Sequence, residues 1–171
     1  RNGLYYYSTF PAFVHPMGFL PAALLTVLLR KLVPRTAAEA VQEINTLVTD
    51  TLAVLDTIFP KQYETDKLLL KELTLRAVSL SRATDVTDSE AIRRLGQGWT
   101  GEEAWAVALY CAMRHADSPA DAITAAVNHD GDSDSTGAIT GYIVGAIHGY
   151  HAIREQNLLC PPGHRLENTI E

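Results

Sequence analysis

Apolar residues recur at steps of three and four along most of this 171-residue chain, a spacing that lines one face of an α-helix and gives a strand no consistent buried side. Val41, Ile44, Val48, Leu52, Leu55 and Phe59 trace one such face over residues 37–59. Leu70, Leu73, Ala77 and Leu80 trace a second, and Ala104, Trp105, Ala108, Leu109 and Ala112 a third. Helix starts are marked where this pattern needs them. Thr36 with Glu39, Thr87 with Glu90 and Thr100 with Glu103 have capping-box spacing, and Ser118 precedes Pro119 as an N-cap precedes a first-turn proline. Alternating strand-like runs and hairpin turns flanked by them are missing. The pattern predicts an all-α bundle of about seven helices in a single domain, a size that can bury one core.

Residues 137–149 carry glycine at every fourth position, Gly137, Gly141, Gly145 and Gly149, among Ile139, Ile143, Val144 and Ile147. An interior glycine costs a helix about 0.8–1 kcal/mol relative to alanine, so four of them call for a packing reason. The spacing predicts a central helix from about Ser135 to Tyr150 whose glycine stripe lets another helix approach closely.

Charge and cysteine usage narrow the partners. A net charge of -6 without a Lys/Arg-rich run excludes the broad basic face of a nucleic-acid binder. Cys111 in a helical pattern and Cys160 in a Pro/Gly-containing tail form neither a disulfide framework nor a zinc pattern, and no apolar run reaches the roughly 18–20 residues that span a bilayer. The expectation is a cytoplasmic protein with no membrane and no nucleic-acid partner. The chain opens on Arg1, and the apolar, aromatic stretch Leu4–Leu20, with Tyr5, Tyr6 and Tyr7, has more surface to bury than a solvated tail tolerates. Further sequence upstream, or a second chain covering these residues, is expected.

The run Asn128-His129-Asp130-Gly131-Asp132-Ser133-Asp134-Ser135-Thr136 places three carboxylates within five residues, with no Lys or Arg between Arg114 and Arg154. Like charges so close disfavour one another, and a divalent cation with a taste for hard oxygen ligands relieves them. The competing reading is that Asp134 or Ser135 caps the following helix and the other acids are solvated. An EF-hand loop fits Asp130, Asp132 and Asp134 at its positions 1, 3 and 5 but finds Ser135 where it needs glycine and Gly141 where it needs glutamate.

The segment Ala126–Gly141 resembles the C-terminal metal motif of the ADP-ribosylglycohydrolase family. Leu95-Gly96-Gln97-Gly98-Trp99-Thr100-Gly101-Glu102-Glu103-Ala104 resembles that family's glycine-tryptophan loop, and His15-Pro16-Met17-Gly18-Phe19-Leu20 is a third match in family order. The resemblance implies a compact orthogonal helical bundle with two magnesium ions at its centre. It implies Asp132, Asp134 and Ser135 as metal ligands, with Asp132 and Asp134 in the catalytic machinery. Gly96, Gln97, Gly98, Trp99 and His15 are then implied to contact substrate, an ADP-ribosylated protein or an ADP-ribose-like ligand whose glycosidic bond is hydrolysed. The loop should lie within ligand reach of the acidic cluster although more than thirty residues separate them.

Each of these residues also has a plainer reading. Gly96 can close a helix and Trp99 can pack in the core; Glu103 can complete the capping box of Thr100; a lone His15 beside proline can be structural. His129 is given a supporting role, and His148 with His151 lacks a third zinc ligand. The family's Thr-Asp-Asp motif has no counterpart, Thr49-Asp50-Thr51 lying inside a helical pattern, and Phe13 stands where many relatives have histidine. The chain therefore reads as the C-terminal part of one family domain, residues 1–171, with its N-terminal part missing, and by itself as a weak magnesium binder with negligible turnover. The alternative is a truncated, non-catalytic member that binds ADP-ribose or serves as an interaction protein.

Overall fold

The computed structural model describes residues 15–155, and there the chain forms seven helices and no strand: α1 (Pro16–Leu32), α2 (Ala37–Ile58), α3 (Glu64–Arg82), α4 (Asp88–Leu95), α5 (Gly101–Arg114), α6 (Pro119–Val127) and α7 (Ser133–Glu155). The readings of Tyr5–Tyr7, Phe13 and Cys160 lie outside the described residues. The all-α expectation holds, and the apolar faces are where the periodicity puts them: Ile44, Val48, Leu52 and Leu55 on α2, and Leu70, Ala77 and Leu80 on α3, are buried. No helix among the described residues is long and apolar enough to cross a membrane.

Helix starts follow the sequence with one exception. Thr36 and Glu39 form a complete capping box, Thr87 accepts from the Glu90 amide, and Ser118 accepts from the Asp121 amide ahead of Pro119. At α5 the expected box does not form, because the Thr100 side chain makes no cap bond. The Glu103 carboxylate is engaged elsewhere, as described below.

The centre of the bundle is α5, not the glycine helix. Every residue from Ala104 to Ala112 is buried, and α1, α3, α4, α6 and α7 all pack against α5. Ala104, Ala106, Ala108 and Ala112 keep its surface low enough for neighbours to approach from every side, while Trp105 and Tyr110 fill the gaps between them. The Trp105 indole donates to Thr74 Oγ1 at 2.9 Å, and the Tyr110 hydroxyl donates to Asp88 Oδ1 at 2.6 Å, so the large aromatics are also satisfied. Burial pushes the Tyr110 hydroxyl and the Cys111 thiol well above their ordinary ranges.

Helix α7 buries Thr136, Thr140, Ile143, Val144, Ile147 and Ile153 and leaves Ala138, Tyr142 and Tyr150 exposed. Of its glycines, only Gly137 is closely covered, by the Val127 side chain of α6; a Cβ on Gly141 would meet nothing within 4 Å. Gly149 has a positive φ of 77° and interrupts the helix instead of packing it. The expected close helix approach along the stripe is thus limited to its first glycine. Further along, the His148 ring donates from Nε2 to the Ala116 carbonyl at 2.8 Å, which anchors α7 to the α5–α6 turn.

Candidate functional site

The acidic segment reaches α7 through a tight turn that the local sequence determines. The His129 Nδ1 accepts the Gly131 amide at 3.0 Å, which leaves the ring proton on Nε2 to donate to Thr136 Oγ1 at 2.9 Å. Thr136 Oγ1 passes a proton on to the Ala126 carbonyl at 2.7 Å, so this fully buried threonine ties the end of α6 to the start of α7. The supporting role given to His129 is that of a strut between these two helices.

Asp132 is the residue that begins α7. Its carbonyl accepts the Thr136 amide at 3.2 Å, the first bond of the helix. Asp132 thus stands at the N-cap position, while the first-turn amide of Ser135 is taken by the Asp134 side chain, in line with a capping part for Asp134. The Asp132 carboxyl is held below the ordinary carboxylate range, first by its hydrogen bond with the Asp134 carboxyl and next by the Ser135 hydroxyl, against a partial loss of hydration that acts the other way. Asp134 is exposed and accepts the Ser135 amide at 3.0 Å. Asp130 is also exposed.

Asp132 and Asp134 stand two residues apart at the start of α7, and a divalent cation is a natural counter-charge for neighbouring carboxylates. Asp132, Asp134 and Ser135 together offer two carboxylates and a hydroxyl, a hard-oxygen set that suits magnesium and fills part of its octahedron. Among the described residues no group of three or more His, Cys, Asp and Glu side chains converges on one point.

The glycine-tryptophan loop lies directly against this segment. The Asp132 amide donates to the Gln97 carbonyl at 2.8 Å. A Cβ on Gly131 would overlap that carbonyl and come within 2.6 Å of its carbon, and a Cβ on Gly98 would lie 2.9 Å from the Thr136 methyl. Gly96 and Gly98 also have φ of 131° and 81°, which side-chain-bearing residues rarely adopt. Close approach and positive φ together account for glycine at these positions. The structure thus brings Gly96, Gln97 and Gly98 together with Asp132.

The loop amides do not stand open for an anionic ligand. Glu103 Oε2 accepts both the Gln97 and the Gly98 amides, each at 3.1 Å, and its side chain lies over Gly96. Two loop donors outweigh the single amide of Thr100, which is why the capping box fails at this helix. The Trp99 side chain is 67% exposed, with its indole donating to Gln97 Oε1 at 3.2 Å, so it is a surface aromatic beside the acidic segment and not a core residue. Glu102 precedes this clamp in the first turn of α5, and its Oε2 is buried without a hydrogen-bond partner among the described residues.

His15 is placed as the N-cap of α1, its Nδ1 accepting the Met17 amide at 3.2 Å. Pro21, four residues after Met17, has no amide proton to give the Met17 carbonyl, and Gly101 at the start of α5 packs against that freed oxygen. The His15 turn is thereby fixed against the residue that follows Trp99 and Thr100.

On the far side of the loop junction, a cavity of about 170 Å³ is lined by Arg93, Gln97, Asn128, His129 and Asp130 among others. It shares Ser89 and Asn128 with a second of about 360 Å³ that includes Asp88, His115 and Asp121. Asp132, Asp134 and Trp99 line neither.

Sequence reasoning missed three residues that build this site. Gly131 and Thr136 were legible only as parts of the acidic run, and Glu103 looked like a capping residue. The signal for Glu103 was its reach back to the positive-φ glycines, which competes with its reach to Thr100.

Among known proteins, the family described as ADP-ribosylglycohydrolase matches residues 13–168. No curated protein and no solved structure matches the chain significantly.

Proposed function

The chain belongs to the ADP-ribosylglycohydrolase family, and from that premise we propose that it takes part in magnesium-dependent hydrolysis of an ADP-ribosyl glycosidic bond on a protein side chain or a small conjugate. In this reading Asp132, Asp134 and Ser135 hold the metal at the start of α7, and Trp99 and His15 meet the ligand from either side of the loop. Two magnesium ions, when bound, supply the charge that orients ribose hydroxyls and makes a water acidic enough to attack the anomeric carbon. In this reading Asp132 and Asp134 both coordinate as carboxylates and Ser135 adds a neutral oxygen. Trp99 offers an exposed indole face on which a nucleotide can stack. His15 uses Nδ1 as a helix cap, which leaves Nε2 to face a ligand. Because Glu103 fills the loop amides, the diphosphate is held by other groups, and Arg93, which lines the adjoining cavity with Gly96 and Gln97, offers a cation for it.

The single observation that carries this reading is the contact of the Gly96–Trp99 loop with Asp132 through the Gln97 carbonyl. The test is calorimetric titration of ADP-ribose into the protein with magnesium present, alongside release of ADP-ribose from a modified peptide. Asp134→Ala should abolish turnover, and Trp99→Ala should weaken ADP-ribose binding while leaving the unfolding midpoint in place. Binding and turnover indifferent to Asp132→Ala, Asp134→Ala and Trp99→Ala would sink the proposal. A second reading, a member that binds ADP-ribose without hydrolysing it, is favoured by the site's three oxygen-bearing side chains, since magnesium prefers six oxygens. Binding without release of ADP-ribose from the peptide is its signature. Two cysteines, of which Cys111 is buried and free, suit a cytoplasmic setting for either reading.

A further inference from the structure

We propose that Glu103 is a positioning residue for the metal-ligand segment, acting on Asp132 through one peptide group of the glycine loop. The Gly98 amide and the Gln97 carbonyl belong to the same peptide unit. Its N–H donates to Glu103 Oε2 at 3.1 Å and its C=O accepts from the Asp132 amide at 2.8 Å. The line from Glu103 to Asp132 is therefore one carboxylate, one peptide and one amide, with no flexible side chain in between. Hydrogen bonds to an ionised acceptor are about twice as strong as neutral ones, and polarising a peptide at its N–H strengthens what its carbonyl accepts. The Gln97 amide, held by the same Oε2 at 3.1 Å, keeps the peptide from rotating.

The geometry around the clamp leaves it little alternative. The Glu103 side chain lies so close over Gly96 that a Cβ there would meet its carboxyl carbon, and Gly98 packs against Thr136 and Asp132 on the opposite side. Helix α5 carries Glu103 in its first turn, immediately ahead of the buried stretch Ala104–Ala112, while Gly101 seats the start of that helix on the Met17 carbonyl. The position of Asp132 is thus referred to the core through Glu103, and not only to its own helix. This inference rests on the reading of Asp132 as a metal ligand for its consequence, but the relay itself does not.

The test uses the full 171-residue chain, with Mn²⁺ alone as the probe. Glu103→Met fills the same space over Gly96 without an acceptor, and Glu103→Gln keeps an oxygen that can accept both amides. Glu103→Met should weaken Mn²⁺ binding roughly 10- to 100-fold, the size expected when a partner behind a metal ligand is lost. It should also speed hydrogen exchange at the Asp132 amide together with Gln97 and Gly98, while the amides of Val107–Leu109 keep their protection. Glu103→Gln, which keeps the acceptor oxygen but not its charge, should fall between the parent and Glu103→Met in both readouts. Faster exchange at Gln97 and Gly98 with Asp132 and Mn²⁺ affinity unmoved would overturn the proposal, as would equal losses in the Met and Gln variants. If the parent chain binds no Mn²⁺, the metal reading fails while the exchange rate at Asp132 still decides the relay.

Discussion

Gly131 and Gly141 lie ten residues apart in the same glycine-rich stretch, and the structure assigns their replacement by alanine opposite signs. A Cβ on Gly131 would overlap the Gln97 carbonyl oxygen and lie 2.6 Å from its carbon, whereas ordinary contact begins near 3.4 Å, so loop and turn must separate by about 1 Å. That movement breaks the 2.8 Å bond from the Asp132 amide to Gln97. A lost hydrogen bond costs about 0.5–1.5 kcal/mol and forced overpacking about 1–3 kcal/mol, while the stiffer unfolded chain returns about 0.4–1 kcal/mol. Gly131→Ala should therefore lose about 1–4 kcal/mol of stability. Gly141→Ala meets nothing within 4 Å and removes a helix-interior glycine, so it should gain up to about 1 kcal/mol. In urea titrations followed by circular dichroism, each kcal/mol moves the midpoint by about 0.3–1 M, which resolves the two variants from the parent and from each other. A Gly131→Ala protein as stable as the parent would refute the close contact at the loop junction. A destabilised Gly141→Ala protein would mean that the open face of α7 is covered after all.

Thr74→Val should cost about 1–3 kcal/mol by leaving the buried Trp105 indole N–H without its 2.9 Å acceptor, and Thr74→Ser should recover most of it in the same urea titration. Asp56 is held below its ordinary range, chiefly by the hydrogen bond from Lys71, with burial opposing and Lys67 assisting. Stability from such a lowered group is present above its unfolded value, near about 3.9, and is lost as pH falls through the folded value. Asp56→Asn should therefore flatten the dependence of the unfolding midpoint on pH below about 4 and leave a parallel curve above it.

What could be read in advance follows from the range of the physics involved. The faces of α2 and α3 were legible because amphipathic spacing is local and a one-sided helix has only one way to bury it. Which helix is central is not local: α5 and α7 are both rich in small residues, and only their neighbours decide that Ala104–Ala112 is surrounded while Gly141 faces open space. The loop and the acidic segment were expected together through the family resemblance, since nothing in the spacing of Gly96–Trp99 and Asp132 forces a contact. Glu103 was misread for a physical reason. Its spacing to Thr100 is that of a capping box, and the sequence does not reveal that two glycine-loop amides compete for the same carboxylate. The bond from His115 Nε2 to Asp88 at 2.9 Å is a longer-range case of the same kind, joining the C-cap of α5 to the start of α4.

The weight of the metal reading rests on Asp134 more than on Asp132. Asp132 stands at the N-cap position of α7, and a carboxylate there is sufficiently explained as a cap. Once that position is filled, the helix start has no further need of a second carboxyl. Asp134 is exposed and contributes one acceptor, at 3.0 Å, to the neighbouring Ser135 amide. The helix dipole favours both acids, but by at most about 1 kcal/mol each at an exposed terminus. A cation shared between them would use the two carboxylates and the Ser135 hydroxyl at once. A helix cap needs one of these groups; a hard divalent ion makes use of all three.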